Sequence, residues 1–145
     1  MTYSALEVAR YIIHHEAQKG RPVSNLRLQK LLYFVQVQFA VNSPDGQPCF
    51  KQRMEAWDFG SVVPVVYREY KYCGSAVIPY DSYGATSISV SDRKLIDAML
   101  NHCAKYSTSA LVEIIHAQTP WKDAYQNGFD NEITPEAIRL YFRRP

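Results

Sequence analysis

The residues best suited to chemistry in this sequence are its four histidines and three cysteines, and their spacing decides what they can do. His15 and Glu16 begin like the His-Glu-x-x-His helix of zinc proteases, in which two histidines one helical turn apart bind the metal. Lys19 occupies the position of the second histidine, so this segment predicts no zinc site. We expect His14, His15 and Glu16 to form a solvated helix end.

The other possible ligands and nucleophiles lie far apart. These candidates are Cys49, Cys73, His102, Cys103 and His116. No two of them have the two-to-four-residue spacing of a structural zinc site. No local pattern marks a cysteine as an activated nucleophile, and Cys73 and Cys103 are expected to be small buried residues. The sequence therefore predicts no metal, no cofactor and no enzymatic activity. A cysteine or metal hydrolase, the alternative class, would need these side chains to cluster in a pocket.

Phosphate-binding and nucleic-acid-binding patterns are also weak. The six glycines occur singly and build no dinucleotide loop, phosphate loop or nucleophile elbow. Lys19, Arg21, Arg27 and Lys30 form a modest basic cluster, which we expect to be a solvated face. The net charge of +2 argues against nucleic acid as a partner. A DNA-binding regulator of its own operon would need Arg27 and Lys30 on a protruding helix with more basic neighbours.

The composition predicts a single folded domain spanning residues 1–145. Hydrophobic residues make up 47% and charged residues 21% of 145 positions, which is ordinary globular usage. No apolar run approaches the roughly 18 residues of a membrane span, and we expect a cytoplasmic protein with reduced thiols and no membrane partner. The eleven tyrosines are unusual. Because tyrosine is enriched in interface anchors, they favour a binding protein.

Hydrophobic periodicity and capping residues predict six or seven helices. Ser4 and Glu7 have the spacing of a capping box, while Thr134 and Pro135 mark the start of the last helix. The helices are expected from about Ser4 to Lys19, Leu26 to Val41, Val65 to Cys73, Ser91 to Tyr106, Thr108 to Ala117, Pro120 to Gln126 and Pro135 to Phe142.

The remaining regular structure is expected to be one small β element. Weak alternation between Gln52 and Val63 is compatible with one short strand or an extended connector, and a second short strand at Thr86 to Val90 is expected to pair with the first. The predicted fold class is mainly α, a compact helical domain with a small β element, or α+β with little β.

Three ordered motifs resemble the Panacea domain family. They are Leu26 to Phe34 (LRLQKLLYF), Glu55 to Tyr67 (EAWDFGSVVPVVY) and Ile115 to Trp121 (IHAQTPW). The resemblance, to SocA-like, phage-associated antitoxins of the GepA type, spans about Val8 to Phe142. Ser61 departs from the family, which usually has proline there in a Gly-Pro-Val-x-Pro run.

The resemblance implies an antitoxin of a toxin–antitoxin system, often encoded in prophages, that neutralises a cognate toxin by direct protein contact. Toxins paired with such domains include alarmone-synthetase-like proteins that stop translation. The resemblance also implies an alternative role, that of an adaptor that delivers the toxin to a Clp protease.

Two groups of residues are singled out. The motif residues are expected to be structural, with His116 bonding to loop backbone; they are Leu28, Leu31, Trp57, Gly60, Pro64, Tyr67, His116, Pro120 and Trp121. Partner contact is expected first from the aromatic loop with Tyr80 and Tyr83, and from the exposed parts of Tyr33, Gln36, Phe59 and Tyr70.

Overall fold

The computed structural model describes residues 2–79, 86–128 and 130–143, which contain seven α-helices and one two-stranded sheet. The elements are α1 Ala5–Gln18, α2 Asn25–Asn42, β1 Glu55–Trp57, β2 Gly60–Val62, α3 Pro64–Tyr70, α4 Val90–Cys103, α5 Thr108–His116, α6 Thr119–Gln126 and α7 Pro135–Phe142, with a 3-10 turn at Lys71–Cys73. This confirms the mainly α fold class. No helix in the described ranges is long and apolar enough to cross a membrane.

The helix starts follow local capping chemistry. Ser4 accepts from the Glu7 N–H and Thr134 from the Ala137 N–H, so both predicted N-cap residues are confirmed. The Glu7 carboxylate of the expected capping box accepts from Thr86 and Ser87. Prolines lie in the first turn of α3, α6 and α7, where a missing N–H is harmless; they are Pro64, Pro120 and Pro135. The start of α4 was predicted too late, because Ser89 caps it by accepting from the Asp92 N–H.

The central element is α2, which packs against α1, α3, α4, α5 and α7. Its apolar surface extends around most of the helix, as expected for a helix surrounded by neighbours. Leu28 and Leu31 are fully buried, and Phe39 near the other end is almost fully buried. This helix forms the middle of the hydrophobic core.

The small sheet is a tight hairpin in which β1 pairs antiparallel with β2 and Trp57 lies opposite Gly60. Asp58 and Phe59 form the turn, and Gly60 has a φ of +102°, a region that other residues rarely adopt. The predicted strand at Thr86 to Val90 is wrong: residues 86–89 have no strand partner and Val90 starts α4. The partner of β1 is the next segment along the chain because a two-residue turn suffices to reverse it.

The outer edge of β1 is covered by a distant segment of the chain. The Ala56 N–H donates to the Asn131 carbonyl oxygen at 2.9 Å, and the Ile133 N–H donates to the Met54 carbonyl oxygen at 2.8 Å. Residues 131–133 therefore fix the hairpin against the C-terminal part of the protein.

The predicted basic face at the start of α2 is wrong. Lys30 is completely buried beneath the hairpin, and its Nζ donates to the Ser61 carbonyl oxygen at 2.6 Å. Burial lowers the pKa of Lys30 to about 7. Arg27 is engaged as well, since its guanidinium donates to the Cys103 carbonyl oxygen at 3.0 Å and to Thr108 at 3.2 Å.

The expected solvated end of α1 is also wrong at Glu16, which is buried. Its carboxylate accepts from His15 Nδ1 at 2.9 Å and from Arg21 at 2.8 Å. Burial alone would raise the pKa of Glu16, but the hydrogen bonds from His15 and Arg21 lower it. The carboxylate is thus paired and not solvated.

Candidate functional site

A groove of about 710 Å³ opens between the hairpin, the start of α2 and the α3 region. Its apolar lining comes from Leu26, Ala56, Trp57, Phe59, Val62 and Tyr67. Its polar lining comes mainly from Asn25, Gln29, Asp58, Lys71, Ser75, Tyr125 and Asn131. Its volume falls within the roughly 300–1,000 Å³ typical of binding sites.

The two amide side chains at the start of α2 hold the wall of the groove together. Gln29 accepts from the Val63 N–H at 2.8 Å and donates to Asn25 at 2.9 Å. Asn25 in turn donates to the Tyr67 carbonyl oxygen at 3.1 Å. These amides are satisfied within the protein, which fixes the hairpin and α3 relative to α2.

The hairpin presents two aromatic side chains to the groove. The Trp57 ring meets the Tyr67 ring edge-on at 5.1 Å, and its Nε1 donates to Glu55 at 2.8 Å. Burial would raise the pKa of Glu55, but hydrogen bonds from Trp57 and Arg53 lower it, so the carboxylate is ionised. Phe59, at the tip of the turn, is 69% exposed.

The α6 side of the groove is an aromatic stack that locks the turn in place. The Trp121 ring lies 4.1 Å from His116 and 4.5 Å from Tyr125, and its Nε1 donates to the Trp57 carbonyl oxygen at 3.0 Å. His116 Nε2 lies 3.0 Å from the Asp58 carbonyl oxygen, the loop-backbone contact that was predicted. The Tyr125 hydroxyl donates to the Asp58 carboxylate, which raises the pKa of Tyr125.

The motif residues therefore converge on one wall. The second and third motifs, distant in the sequence, meet at the hydrogen bond from Trp121 to Trp57. Gly60 is required at its position twice over: its φ is positive, and a Cβ there would lie 3.3 Å from Lys30. The second and third motifs thus contribute to both the hairpin and the wall of the groove.

Three predicted contact residues, Tyr33, Gln36 and Tyr70, are buried and do not have the expected exposure. Tyr33 is fully buried. Its hydroxyl is satisfied inside the protein, since it donates to Gln118 at 2.6 Å at the junction of α5 and α6. Burial also raises the pKa of Tyr33. Gln36 is buried because its amide accepts from the Cys49 N–H at 2.9 Å and donates to the Phe50 carbonyl oxygen at 2.8 Å.

Phe59 and Tyr70 have different outcomes. Phe59 lies on the surface and lines the groove, whereas Tyr70 is buried, contrary to the expected exposure, because it ends α3 against the core. Tyr80 and Tyr83 lie outside the described residues.

Sequence reasoning missed three groove residues. Leu26 is 42% exposed, Tyr125 is exposed, and Asp58 joins the turn to α6. A signal existed for Leu26, because it precedes the i, i+3, i+4 core pattern that begins at Leu28. Tyr125 and Asp58 carried no such signal, since only the folded hairpin brings them together.

The thiols do not form a reactive centre with these groups. Cys49 and Cys103 are buried, and Cys73 is half-buried. Burial raises the pKa of Cys103 to about 12 and also raises the pKa of Cys49, so both are protonated at neutral pH. Within the described ranges, no group of three or more His, Cys, Asp or Glu side chains is placed to hold a metal ion.

Comparison with known proteins agrees with the motifs. Residues 28–122 match the family described as Antitoxin SocA-like, Panacea domain, and the chain belongs to this family. It is similar to Antitoxin SocA of Caulobacter vibrioides (strain NA1000 / CB15N), with 38% identity over 136 residues, covering 86% of this chain and 71% of that protein. No solved structure matches the chain.

Proposed function

We propose that this protein is an antitoxin that silences a cognate toxin by binding it directly through the groove face. The observation that carries the proposal is the 38% identity to a protein named Antitoxin SocA over most of the chain. The family motifs build the groove, which supports its use as the contact surface.

A stoichiometric binding role fits the chemistry of the groove. The polar side chains of Asn25 and Gln29 in the groove wall are already hydrogen-bonded within the protein. What it offers a partner is mainly aromatic and aliphatic surface at Trp57, Phe59 and Leu26. Large apolar side chains in a concave setting are typical of the residues that carry most of the energy of a protein interface.

The DNA-binding alternative loses its main support. It required Arg27 and Lys30 on an open helix face, yet Lys30 is buried under the hairpin and Arg27 bonds to the Cys103 carbonyl oxygen. These side chains are therefore not available to phosphate groups.

The first test uses the protein encoded by the reading frame next to this gene, called here the neighbour protein. Its expression alone should stop growth, and co-expression of this chain should restore growth. The two purified proteins should form a complex of fixed stoichiometry, measured by calorimetry and by mass. If the neighbour protein is harmless, or if the pair does not associate, the antitoxin proposal fails.

A cell-free translation assay without any Clp protease separates direct neutralisation from delivery to a protease. Direct binding predicts that purified antitoxin restores the activity that the neighbour protein inhibits, in proportion to the amount added. Restoration that appears only when Clp protease and ATP are supplied would instead support the adaptor role.

Alanine variants test the groove itself. Phe59→Ala and Leu26→Ala should each weaken the complex about tenfold or more without lowering thermal stability, since both side chains are exposed. Val41→Ala is the matched control, because Val41 is 43% exposed on the same helix as Leu26. The two positions on α2 are about 22 Å apart. If Phe59→Ala and Leu26→Ala bind the neighbour protein as tightly as Val41→Ala does, the contact surface is not this groove.

A further inference from the structure

A second groove lies on the other side of α6. It has a volume of about 390 Å³ and is lined by residues of α6, α7 and the segment before α7, among them Asp123, Asp130, Glu132, Leu140 and Tyr141. The two grooves are neighbours because the same elements build both. Tyr125 and Asn131 line the first groove, while Asp123 and Asp130 line the second.

The grooves meet at residues 130–132, because Asn131 lines the first groove while Asp130 and Glu132 line the second. Together with Glu55, these two carboxylates form a surface, called here the acidic ridge, that carries excess negative charge. Arg53 bonds to three carboxylates: Glu55 at 2.7 Å, Glu132 at 3.2 Å, and Asp130. The contacts with Glu55 and Asp130 raise the pKa of Arg53, and the hydrogen bond from Arg53 lowers the pKa of Asp130. One cation shared by three anions leaves two negative charges uncompensated. Asp123 adds another exposed carboxylate on α6.

This local charge is opposite in sign to the protein as a whole. The chain carries +2, while Lys71 is the cation in the lining of the first groove, the described lining of the second groove has none, and Lys122 is the cation within α6. Exposed apolar side chains stand on both sides of the acidic ridge: Phe59 in the first groove is 69% exposed, and Leu140 in the second is 76% exposed. Each groove therefore has one strongly exposed apolar side chain, and the acidic ridge lies where the grooves meet.

We propose that the toxin docks across both grooves with a basic, amphipathic surface, placing apolar side chains against Phe59 and Leu140 and lysine or arginine side chains on the acidic ridge. This inference rests on the proposed antitoxin function and specifies the chemistry of its partner. Apolar anchors hold such a complex together, while complementary charge accelerates its formation.

The charge of the ridge also argues against other occupants. A two-fold dimer of this chain through the same face would place acidic ridges against each other, which is unfavourable. Nucleic acids and anionic lipid surfaces are repelled by the same carboxylates. A basic protein surface is the partner whose charge matches.

The test measures association and dissociation rates of the neighbour protein with wild-type and variant antitoxin at ~20 mM and ~150 mM salt. The double variant Asp130→Asn/Glu132→Gln removes two negative charges and keeps hydrogen-bonding atoms of the same shape. It should lower the association rate about tenfold at low salt and flatten the salt dependence. Phe59→Ala and Leu140→Ala should mainly raise the dissociation rate, each about tenfold.

A matched control separates local charge from net charge. Ser91→Lys/Ala98→Lys also shifts the net charge by two positive units, at exposed positions of α4 that line neither groove. Its association rate should stay within about twofold of wild type at physiological salt. Equal effects of both double variants, or no effect of the ridge variant, would overturn the proposed docking chemistry while leaving neutralisation intact. If wild-type protein does not bind at all, the antitoxin proposal fails and this inference with it.

Discussion

Replacing Lys30 by methionine should remove a pH dependence of stability that the buried ammonium creates. Lys30 is completely buried, and the acceptor that the structure gives its ammonium is the Ser61 carbonyl oxygen at 2.6 Å. Methionine has a similar length, carries no charge and fills the space under Gly60. The variant loses one hydrogen bond, an effect of about 1 to 3 kcal/mol that does not vary with pH.

The size of the effect follows from the pKa of Lys30, which burial lowers to about 7 in the folded protein. In the unfolded chain a lysine has a pKa of about 10.4. Between these two pKa values the unfolded chain binds more protons than the folded protein, so the free energy of unfolding rises with pH. Below about pH 7 the lysine is protonated in both states, and the loss of stability caused by burying its charge, called here the penalty, is constant. At about 1.36 kcal/mol per pKa unit, the penalty is about 4 kcal/mol at pH 7 and about 2 kcal/mol at pH 9.

Urea denaturation of both proteins under reducing conditions at pH 7, 8 and 9 measures this difference directly. The free energy of unfolding of Lys30→Met minus that of wild type should fall by about 2 kcal/mol from pH 7 to pH 9. Titration of the thiols is common to both proteins and cancels in the difference. Lys94→Met, at an exposed position of α4, is the control and should show a constant difference. A constant difference for Lys30→Met as well would refute the reasoning.

Three further changes test the core and the groove by denaturant unfolding. Leu31→Ala should lower stability by about 2 to 5 kcal/mol, and a loss below 1 kcal/mol would contradict its complete burial. Gly60→Ala should lower stability by about 1 to 3 kcal/mol, because the φ of +102° is strained for alanine and the new Cβ meets Lys30; an unchanged midpoint would show that the turn relaxes freely. Trp121→Phe keeps most of the ring stack but loses the 3.0 Å hydrogen bond to Trp57, so it should lower the free energy of unfolding by about 1 kcal/mol. An unchanged stability would show that α6 holds the hairpin by packing alone.

The helical framework was largely predictable because its signals are local. Ser4 and Thr134 cap their helices through atoms three residues away, and Pro135 fits the first turn of α7 by its own geometry. These interactions need no knowledge of the rest of the chain. Leu28 and Leu31 were placed in the core for the same reason, since helical spacing alone puts them on one face.

What could not be predicted depends on contacts that are distant in sequence. Lys30 reads as a solvated helix residue until the hairpin covers it and Ser61 supplies its acceptor. Tyr33 reads as an interface residue until Gln118, far along the chain, takes its hydroxyl hydrogen bond. The groove belongs to this class as well: Trp57, Phe59 and Tyr67 were named individually, but Tyr125 was not, and the arrangement of these rings around Asp58 follows only from the fold.

The pairing of β1 with residues 131–133 means that the groove wall is completed late in synthesis. Ala56 bonds to Asn131, so the groove wall waits for a segment made 75 residues later. At roughly 5 to 20 residues per second, that delay is about 4 to 15 seconds on the ribosome. Until then the hairpin lacks its outer partner and the stack of Trp121 and Tyr125 does not yet exist. A nascent chain that stalls before α6 lacks both the aromatic stack and the outer partner of the hairpin, so its groove is incomplete.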